Sequence, residues 1–258
     1  MKEVRIAMDK QYQYDVMEVC LLAGKILLQN GAETFRVEDT MVRMARAFGI
    51  SKCDSFVIPT GIIFSVESND LQKTQLVRVS QRTTDLLKVT QVNRVSRSIS
   101  EKTMNVKEAH LTLTGIESAP FAFSTTTQTF AAALSSACFV IMFLGSWYDF
   151  IPAFITGGLG FMGYLFFNWL VSVKFVSEFL ASVVIGLVSY FLVQIGVGHE
   201  IDKIIIGSVM PLVPGLLITN AVRDLMAGHL VSGISKGAEA FLTAFAIGGG
   251  IAIVFTLV

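Results

Sequence analysis

The stretch MPLVPGLLITNAVRDLMAGHLVSG, residues 210–233, decides the fold of this chain. It begins as an apolar segment of membrane-spanning character, and it is interrupted at Pro211 and at Pro214-Gly215. Because proline has no amide hydrogen, the carbonyls four residues earlier, those of Gly207 and Met210, lose their helical partners. An unpaired carbonyl is costly in hydrocarbon, so such a break persists only where protein or a wet cavity surrounds it.

The break has two interpretations. One is a proline kink, which membrane helices tolerate. In the other, a second half-helix begins at Pro214 and points its amide dipoles into the middle of the bilayer, where an anion can bind. Asn220 then lies three and four residues before Arg223 and Asp224, on the same helix face. We predict a substrate-binding site made of Pro211, Pro214, Gly215, Thr219, Asn220, Arg223 and Asp224.

The composition indicates a membrane protein with a soluble portion. The 258 residues are 53% hydrophobic and 16% charged, with a mean hydropathy of +0.63, which is too apolar for an ordinary soluble domain. Residues 1–118 hold 16 Lys and Arg and 14 Asp and Glu, whereas residues 119–258 hold 4 and 6. We therefore predict two domains, at 1–118 and 119–258. The first fifteen residues have no apolar core, so no cleavable signal peptide is expected.

Several functional classes are disfavoured by the sequence. Cys20, Cys53 and Cys138 are scattered and fit neither a disulfide framework nor a zinc site, so each is expected to be a small buried hydrophobe. The three histidines are isolated, and no metal or cofactor is predicted. There is no Gly-x-Ser-x-Gly motif, phosphate loop or paired His and Cys, so an enzyme is not expected. The soluble half is nearly balanced in charge, which argues against nucleic-acid binding.

The soluble half has the pattern of an α+β domain. Amphipathic periodicity predicts a helix over residues 12–30, closed by Gly31, and a second helix over residues 37–48, closed by Gly49. Three short strands follow, at residues 56–58, 62–64 and 74–79. Two further helices are predicted, one capped at Thr83 or Thr84 and one over residues 106–117.

The membrane half contains five apolar segments: residues 123–144, 150–173, 175–197, from about 203 through the break, and 237–258. The predicted fold is therefore a cytoplasmic α+β domain, with helices around a small three-stranded sheet, followed by an all-α membrane domain. That domain has five transmembrane helices, the fourth broken at Pro211 and Pro214. The positive-inside rule places the N-terminal domain in the cytoplasm and the C-terminus outside, in a plasma or inner membrane.

An odd number of spans indicates that the chain works together with a second membrane unit. A five-span unit needs an oppositely inserted second copy to build an inverted-repeat transporter, and the chain contains one unit. We therefore expect a second small membrane subunit or a homo-oligomer, surrounded by the lipid bilayer.

Charged residues in the membrane half are functional candidates, because a charge at a helix centre costs about 2.5–3.5 kcal/mol. Glu178, Arg223, Asp224 and Glu239 lie near the cytoplasmic ends of their segments, where they can also reach water. Arg223 and Asp224 can alternatively pair with each other. We interpret Glu178 and Lys236 as structural and predict Glu239 as the proton carrier.

Two segments resemble the threonine/serine exporter family: Gly31-Ala32-Glu33-Thr34-Phe35-Arg36-Val37-Glu38, and Val213-Pro214-Gly215 with Thr219-Asn220-Ala221-Val222-Arg223-Asp224. The order of a soluble domain and five spans is also similar, and the length is that of the family's split form. The resemblance implies export of threonine and serine in fused members and of succinate in a split pair. The first segment supplies the predicted cytoplasmic-domain motif, Gly31, Glu33, Thr34, Arg36 and Glu38, although Glu33 and Glu38 also suit a helix N-terminus electrostatically.

The leading hypothesis is a subunit of a proton-coupled exporter of small amino acids or dicarboxylates. Two alternatives act through the N-terminal domain. One is a membrane-anchored, hydrolase-like enzyme, and the other is a scaffold that binds a soluble partner.

Overall fold

The computed structural model of the protein describes residues 2–68, 71–120, 123–171 and 173–257. The chain forms two compact units that do not follow the linear order of the sequence. Unit 1 contains residues 1–122 and 216–237, and unit 2 contains residues 123–215 and 238–258. The segment that carries Asn220, Arg223 and Asp224 therefore belongs to the same unit as the N-terminal α+β domain.

Unit 1 combines helices with one small sheet. Its elements are α1 (Lys2–Gln29), α2 (Thr34–Ala47), β1 (Lys52–Ile58), β2 (Gly61–Ser68), β3 (Leu71–Arg78), α3 (Leu86–Ser100), α4 (Val106–Ser118) and α9 (Gly215–Met226). The sheet is antiparallel in the order β1-β2-β3, and Ile58 pairs with Gly61 across the Pro59-Thr60 turn. The predicted three-stranded sheet is confirmed, with strands longer than the apolar runs that indicated them.

The core of unit 1 lies between helices α1 to α4 and one face of the sheet. Alternate residues of β2, Ile62, Phe64 and Val66, are almost completely buried, as the two-residue period of a strand requires. The predicted stripes of the first two helices are buried as well: Val16, Val19, Cys20, Ala23, Ile26 and Leu27 on α1, and Val37, Met41, Met44 and Ala45 on α2.

The start of α3 differs from the prediction. Its N-cap is Asp85, whose carboxylate accepts hydrogen bonds from the amides of Leu87 and Lys88. Thr83 and Thr84 lie in the preceding loop, and the amide of Thr83 donates to the carbonyl of Gln29 at the end of α1. A carboxylate at the N-cap also interacts favourably with the helix dipole, which the two threonines cannot do.

Unit 2 is helical in its described residues. It contains α5 (Thr125–Met142), α6 (Phe150–Val171), α7 (Lys174–Gln194), α8 (Ile201–Val209) and the greater part of α10 (Leu230–Leu257). Among the described residues, four helices are long and apolar enough to cross a membrane, or five if the interrupted pair Ile201–Leu212 and Gly215–Met226 counts as one. Cys138 of α5 is exposed, so the prediction that each cysteine is buried is wrong for this residue.

The predicted break in the fourth segment is present. A 3-10 turn over Met210–Leu212 follows α8 and ends before α9 begins at Gly215. Pro214 has no amide hydrogen to donate to the carbonyl of Met210. That carbonyl instead accepts a hydrogen bond from the amide of Val213 at 3.2 Å. The tighter turn thus satisfies a carbonyl that a continuous helix would leave unpaired.

The last helix begins earlier than predicted. It starts at Leu230 rather than at residue 237, so Lys236 lies inside a helix that continues to Leu257.

Candidate functional site

The turn between α1 and α2 is shaped by Gly31. Gly31 has a φ of +93°, in the left-handed region that favours glycine, and the amide of Ala32 donates to the carbonyl of Leu27 at 3.1 Å. This arrangement ends α1 and leaves the carbonyl of Gly31 available to a neighbour. The neighbour is Asn220 of α9, whose side-chain amide donates to that carbonyl at 2.9 Å.

The next residues of the turn contact the same face of α9. The Glu33 carboxylate lies 2.5 Å from the guanidinium of Arg223 and 3.2 Å from that of Arg36. Glu33 is largely buried, with its side chain 11% exposed, whereas that of Arg223 is 53% exposed. The arginine therefore binds a protein carboxylate while keeping half of its surface accessible.

A buried ion pair lies beside these contacts. The Lys236 ammonium is 2.7 Å from the Asp224 carboxylate and 3.0 Å from the hydroxyl of Thr34. The other Asp224 oxygen accepts a hydrogen bond from the backbone amide of Thr34 at 3.0 Å. Lys236, Asp224 and Thr34 are all buried, so the pair is removed from water and each charge depends on the other.

Glu38 contacts both the end of β1 and the segment between α9 and α10. Its carboxylate accepts from the amide of Val57 at 2.8 Å and lies 3.7 Å from the ring of His229. Burial raises the pKa of Glu38, and the Val57 amide and His229 partly oppose that change. The carbonyl of the same Val57 accepts from the hydroxyl of Ser232 at 3.1 Å.

Within unit 1, then, two sequence motifs form one polar cluster. We call it the turn–α9 cluster: Gly31, Glu33, Thr34, Glu38, Asn220, Arg223, Asp224 and Lys236. Arg36 contacts the cluster through Glu33 and lies over the ring of Phe35. Thr219 also lies on α9, and Pro214 and Gly215 lie at the start of that helix. Pro211 lies in the 3-10 turn. The assignment of these residues to a substrate stays a prediction.

The sequence interpretation missed three members or neighbours of this cluster. Lys236 was assigned a structural role without a partner, and His229 and Ser232 were not singled out. Their signal in the sequence is weak, because one lysine, one histidine and one serine near a helix start have many ordinary explanations.

Glu239 lies in unit 2, in a second group of charges. Its carboxylate is 3.0 Å from the ammonium of Lys174, the first residue of α7. The same ammonium is 3.9 Å from Glu178, one turn further along α7. Glu178 is 3% exposed. The buried acid Glu178 and the predicted proton carrier Glu239 thus have the same ammonium, that of Lys174, as a neighbour.

The chain matches the family model described as "Putative threonine/serine exporter" over residues 18–258. It is 25% identical over 258 residues to the "Probable succinate transporter subunit YjjP" of Klebsiella aerogenes, covering 96% of each chain. It is 24% identical over 259 residues to the protein of the same name from Escherichia coli (strain K12), covering 97% of each. No solved structure matches the chain. The family and these relatives are transporters, not enzymes, and the match extends over most of the sequence. The chain belongs to the threonine/serine exporter family.

Proposed function

We propose that the chain is a subunit of a secondary-active exporter of a small carboxylate-bearing metabolite, either threonine or serine or a dicarboxylate such as succinate. The family is described by two amino acids and the relatives by a dicarboxylate, and all three compounds carry a carboxylate. That shared group is what the substrate site has to recognise.

The contact between Arg223 and Glu33 carries this proposal. Arg223 binds a carboxylate at 2.5 Å and remains 53% exposed, and Asn220 lies on the same face of α9. A planar guanidinium with a neighbouring amide suits a carboxylate well. The substrate carboxylate competes with that of Glu33 for Arg223, so Glu33 occupies the position in the absence of substrate.

Efflux kinetics of three variants test this site. Glu33→Gln removes the competing charge and should lower the half-saturating substrate concentration, whereas Arg223→Ala should raise it at normal membrane abundance. Asn220→Ala should also reduce efflux. Arg43→Ala is the matched control, because Arg43 pairs with Asp39 on the exposed face of α2. If the half-saturating concentration is the same in wild type, Glu33→Gln and Arg223→Ala, this cluster does not bind substrate.

The exporter crosses the membrane five times, with unit 1 in the cytoplasm and the C-terminus outside. The composition of unit 1 supports this count. Residues 1–122 and residues 216–237 belong to one compact unit. We place that unit on one side of the membrane, so that the chain leaves this side and returns to it. That return needs an even number of crossings, and α5, α6 and α7 provide three. The interrupted segment after α7 provides the fourth, and α10 the fifth.

Transport requires a second membrane subunit. The relatives are named as transporter subunits, and five crossings make half of an inverted-repeat pair. Vesicles preloaded with labelled threonine or succinate should release label when this chain is present together with a co-expressed small membrane partner. Equal release by this chain alone would contradict the requirement, and the faster label identifies the substrate.

Protons drive the export, and the charges around Lys174 carry them. The predicted carrier, Glu239, contacts an ammonium at the start of a helix that is otherwise apolar enough to span the membrane. Ionisable groups in such segments commonly mark proton pathways.

A further inference from the structure

Glu178 is a buried carboxylate that has no close ion pair to offset the loss of its hydration. It is 3% exposed, and its nearer oxygen is 3.9 Å from the Lys174 ammonium, beyond hydrogen-bond distance. Within the residues that the structure describes, its other oxygen, Oε2, is buried and has no hydrogen-bond partner. A carboxylate in this condition is expensive to keep charged.

The neighbours of Glu178 come from three helices. Lys174 lies on α7, Glu239 and Thr243 lie on α10, and Tyr164 of α6 also interacts with it electrostatically. In the described part of the chain, the hydroxyl of Thr243 is likewise buried without a hydrogen-bond partner. The Thr243 hydroxyl therefore lies close enough to interact with the Glu178 carboxylate, although neither buried atom makes a hydrogen bond of good geometry.

The ammonium of Lys174 lies closer to Glu239 than to Glu178. Lys174 is 3.0 Å from Glu239 but 3.9 Å from Glu178, and its own side chain is 41% exposed. Two ionised carboxylates and one ammonium leave a net charge of −1. Because the shorter ion pair already balances Glu239, the excess charge belongs to Glu178, and one bound proton would remove it.

We propose that Glu178, in place of Glu239, is the proton-binding group of this exporter and that Glu239 is the counter-charge that holds Lys174 while Glu178 is protonated. Binding forms one O–H bond at Oε2, and release returns the proton to water. When Glu178 is ionised, Lys174 is drawn toward it and away from Glu239. The ammonium thus moves between two carboxylates on α7 and α10, which couples proton binding to the packing of these helices. This inference rests on the proposed transport function.

Infrared difference spectroscopy tests the proton site without requiring transport. The purified full-length protein at neutral pH should show the C=O band of a protonated carboxylic acid that is absent in Glu178→Gln. In Glu239→Gln the band should weaken, because Lys174 is then free to pair with an ionised Glu178. Glu200→Gln is the matched control, since Glu200 pairs with Lys203 one turn away, as Glu178 does with Lys174, but at the surface. A band unchanged in Glu178→Gln overturns the proposal.

Flux measurements in vesicles test the coupling. Wild-type export should be accelerated by an imposed pH gradient, Glu178→Gln should lose that acceleration, and Glu178→Asp, which keeps a carboxyl group, should recover part of it. Acceleration that persists in Glu178→Gln, or that follows a sodium gradient instead, overturns the proposal. If the wild type transports nothing even with its partner subunit, the proposed function fails, and the infrared result still decides whether Glu178 binds the proton.

Discussion

At the scale of single residues, Lys236 and Asp224 depend on each other for their burial. The two charges are 2.7 Å apart and are 5% and 0% exposed. Removing one partner leaves the other buried and unpaired, so we expect Lys236→Met to destabilise unit 1 by about 3–5 kcal/mol. Thermal unfolding of the purified protein in detergent measures this loss. The double variant Lys236→Met/Asp224→Asn should recover a large part of it, because no unpaired charge remains.

An exposed pair provides the control for that measurement. Arg43 and Asp39 are 59% and 60% exposed, and Arg43→Met should cost less than about 1 kcal/mol. If Lys236→Met costs no more than Arg43→Met, the buried pair does not stabilise the fold.

Glu38 gives unit 1 a pH-dependent stability. Burial raises its pKa in the folded protein, so the folded state holds its proton to higher pH than the unfolded state does. This contribution to stability is present in acid and is lost as the pH rises through the raised pKa. Glu38→Gln keeps an acceptor for the Val57 amide but does not titrate. The wild type should therefore lose stability relative to Glu38→Gln as the pH rises from about 4 through the raised pKa, measured as the difference in melting temperature. A difference that is constant with pH would show that Glu38 is not coupled to folding.

The residues of the turn–α9 cluster other than Lys236 were identified in the sequence, but their contacts were not. Gly31, Glu33 and Thr34 stood in one motif and Asn220, Arg223 and Asp224 in another, and Thr34 and Asp224 are 190 residues apart. Helical spacing shows which side chains share a face, but it does not show what packs on that face. Arg223 and Asp224 were also expected to be able to pair with each other. Instead each has a partner elsewhere, Glu33 and Lys236.

At the scale of the helices, the elements were more predictable than their ends. The amphipathic stripes of α1 and α2 and the three strands followed from periodicity, because burial of one face imposes that period. The start of α10 did not follow. The fifth span was predicted over residues 237–258, which leaves Lys236 outside it, and a charge is unfavourable in an apolar helix. The ion pair with Asp224 removes that penalty, so the helix begins six residues before the lysine, at Leu230.

Close packing of α7 on α10 depends on Gly250. A Cβ atom there would lie 2.0 Å from the hydroxyl oxygen of Ser182 and 2.5 Å from the backbone carbonyl oxygen of Phe179. The carbonyl cannot move without moving α7, so Gly250→Ala should force the helices apart and cost about 1–3 kcal/mol. Gly248 of the same helix has nothing within 4 Å of its Cβ position. Gly248→Ala should be neutral or slightly stabilising, since alanine is favoured over glycine in helices. Equal melting temperatures for the two variants would contradict this packing.

At the scale of the whole molecule, the two compact units differ from a division of the chain at one point in the sequence. Composition changes sharply near residue 118, and this change predicted one soluble and one membrane portion. Composition cannot reveal that residues 216–237 return to the first unit, because that segment is itself apolar on one side. Its exposed side chains include Ile218, Val222, Leu225, Leu230 and Val231, whereas Asn220, Asp224 and Lys236 of the cluster are buried.

The proposed arrangement with five crossings predicts which positions are accessible from each side of the membrane. Cys138 is exposed and is first replaced by alanine, while Cys20 and Cys53 are buried. In intact cells an impermeant maleimide should then label Tyr148→Cys, in the turn before α6. It should label Lys107→Cys and Ala227→Cys, both in unit 1, only after the membrane is permeabilised. Ala227 is the decisive position, because it lies between α9 and α10. If the interrupted segment enters the membrane and leaves on the same side, the chain crosses four times and Ala227→Cys reacts from outside. Labelling of Ala227→Cys in parallel with Lys107→Cys therefore counts the crossings, and labelling in parallel with Tyr148→Cys refutes the fifth.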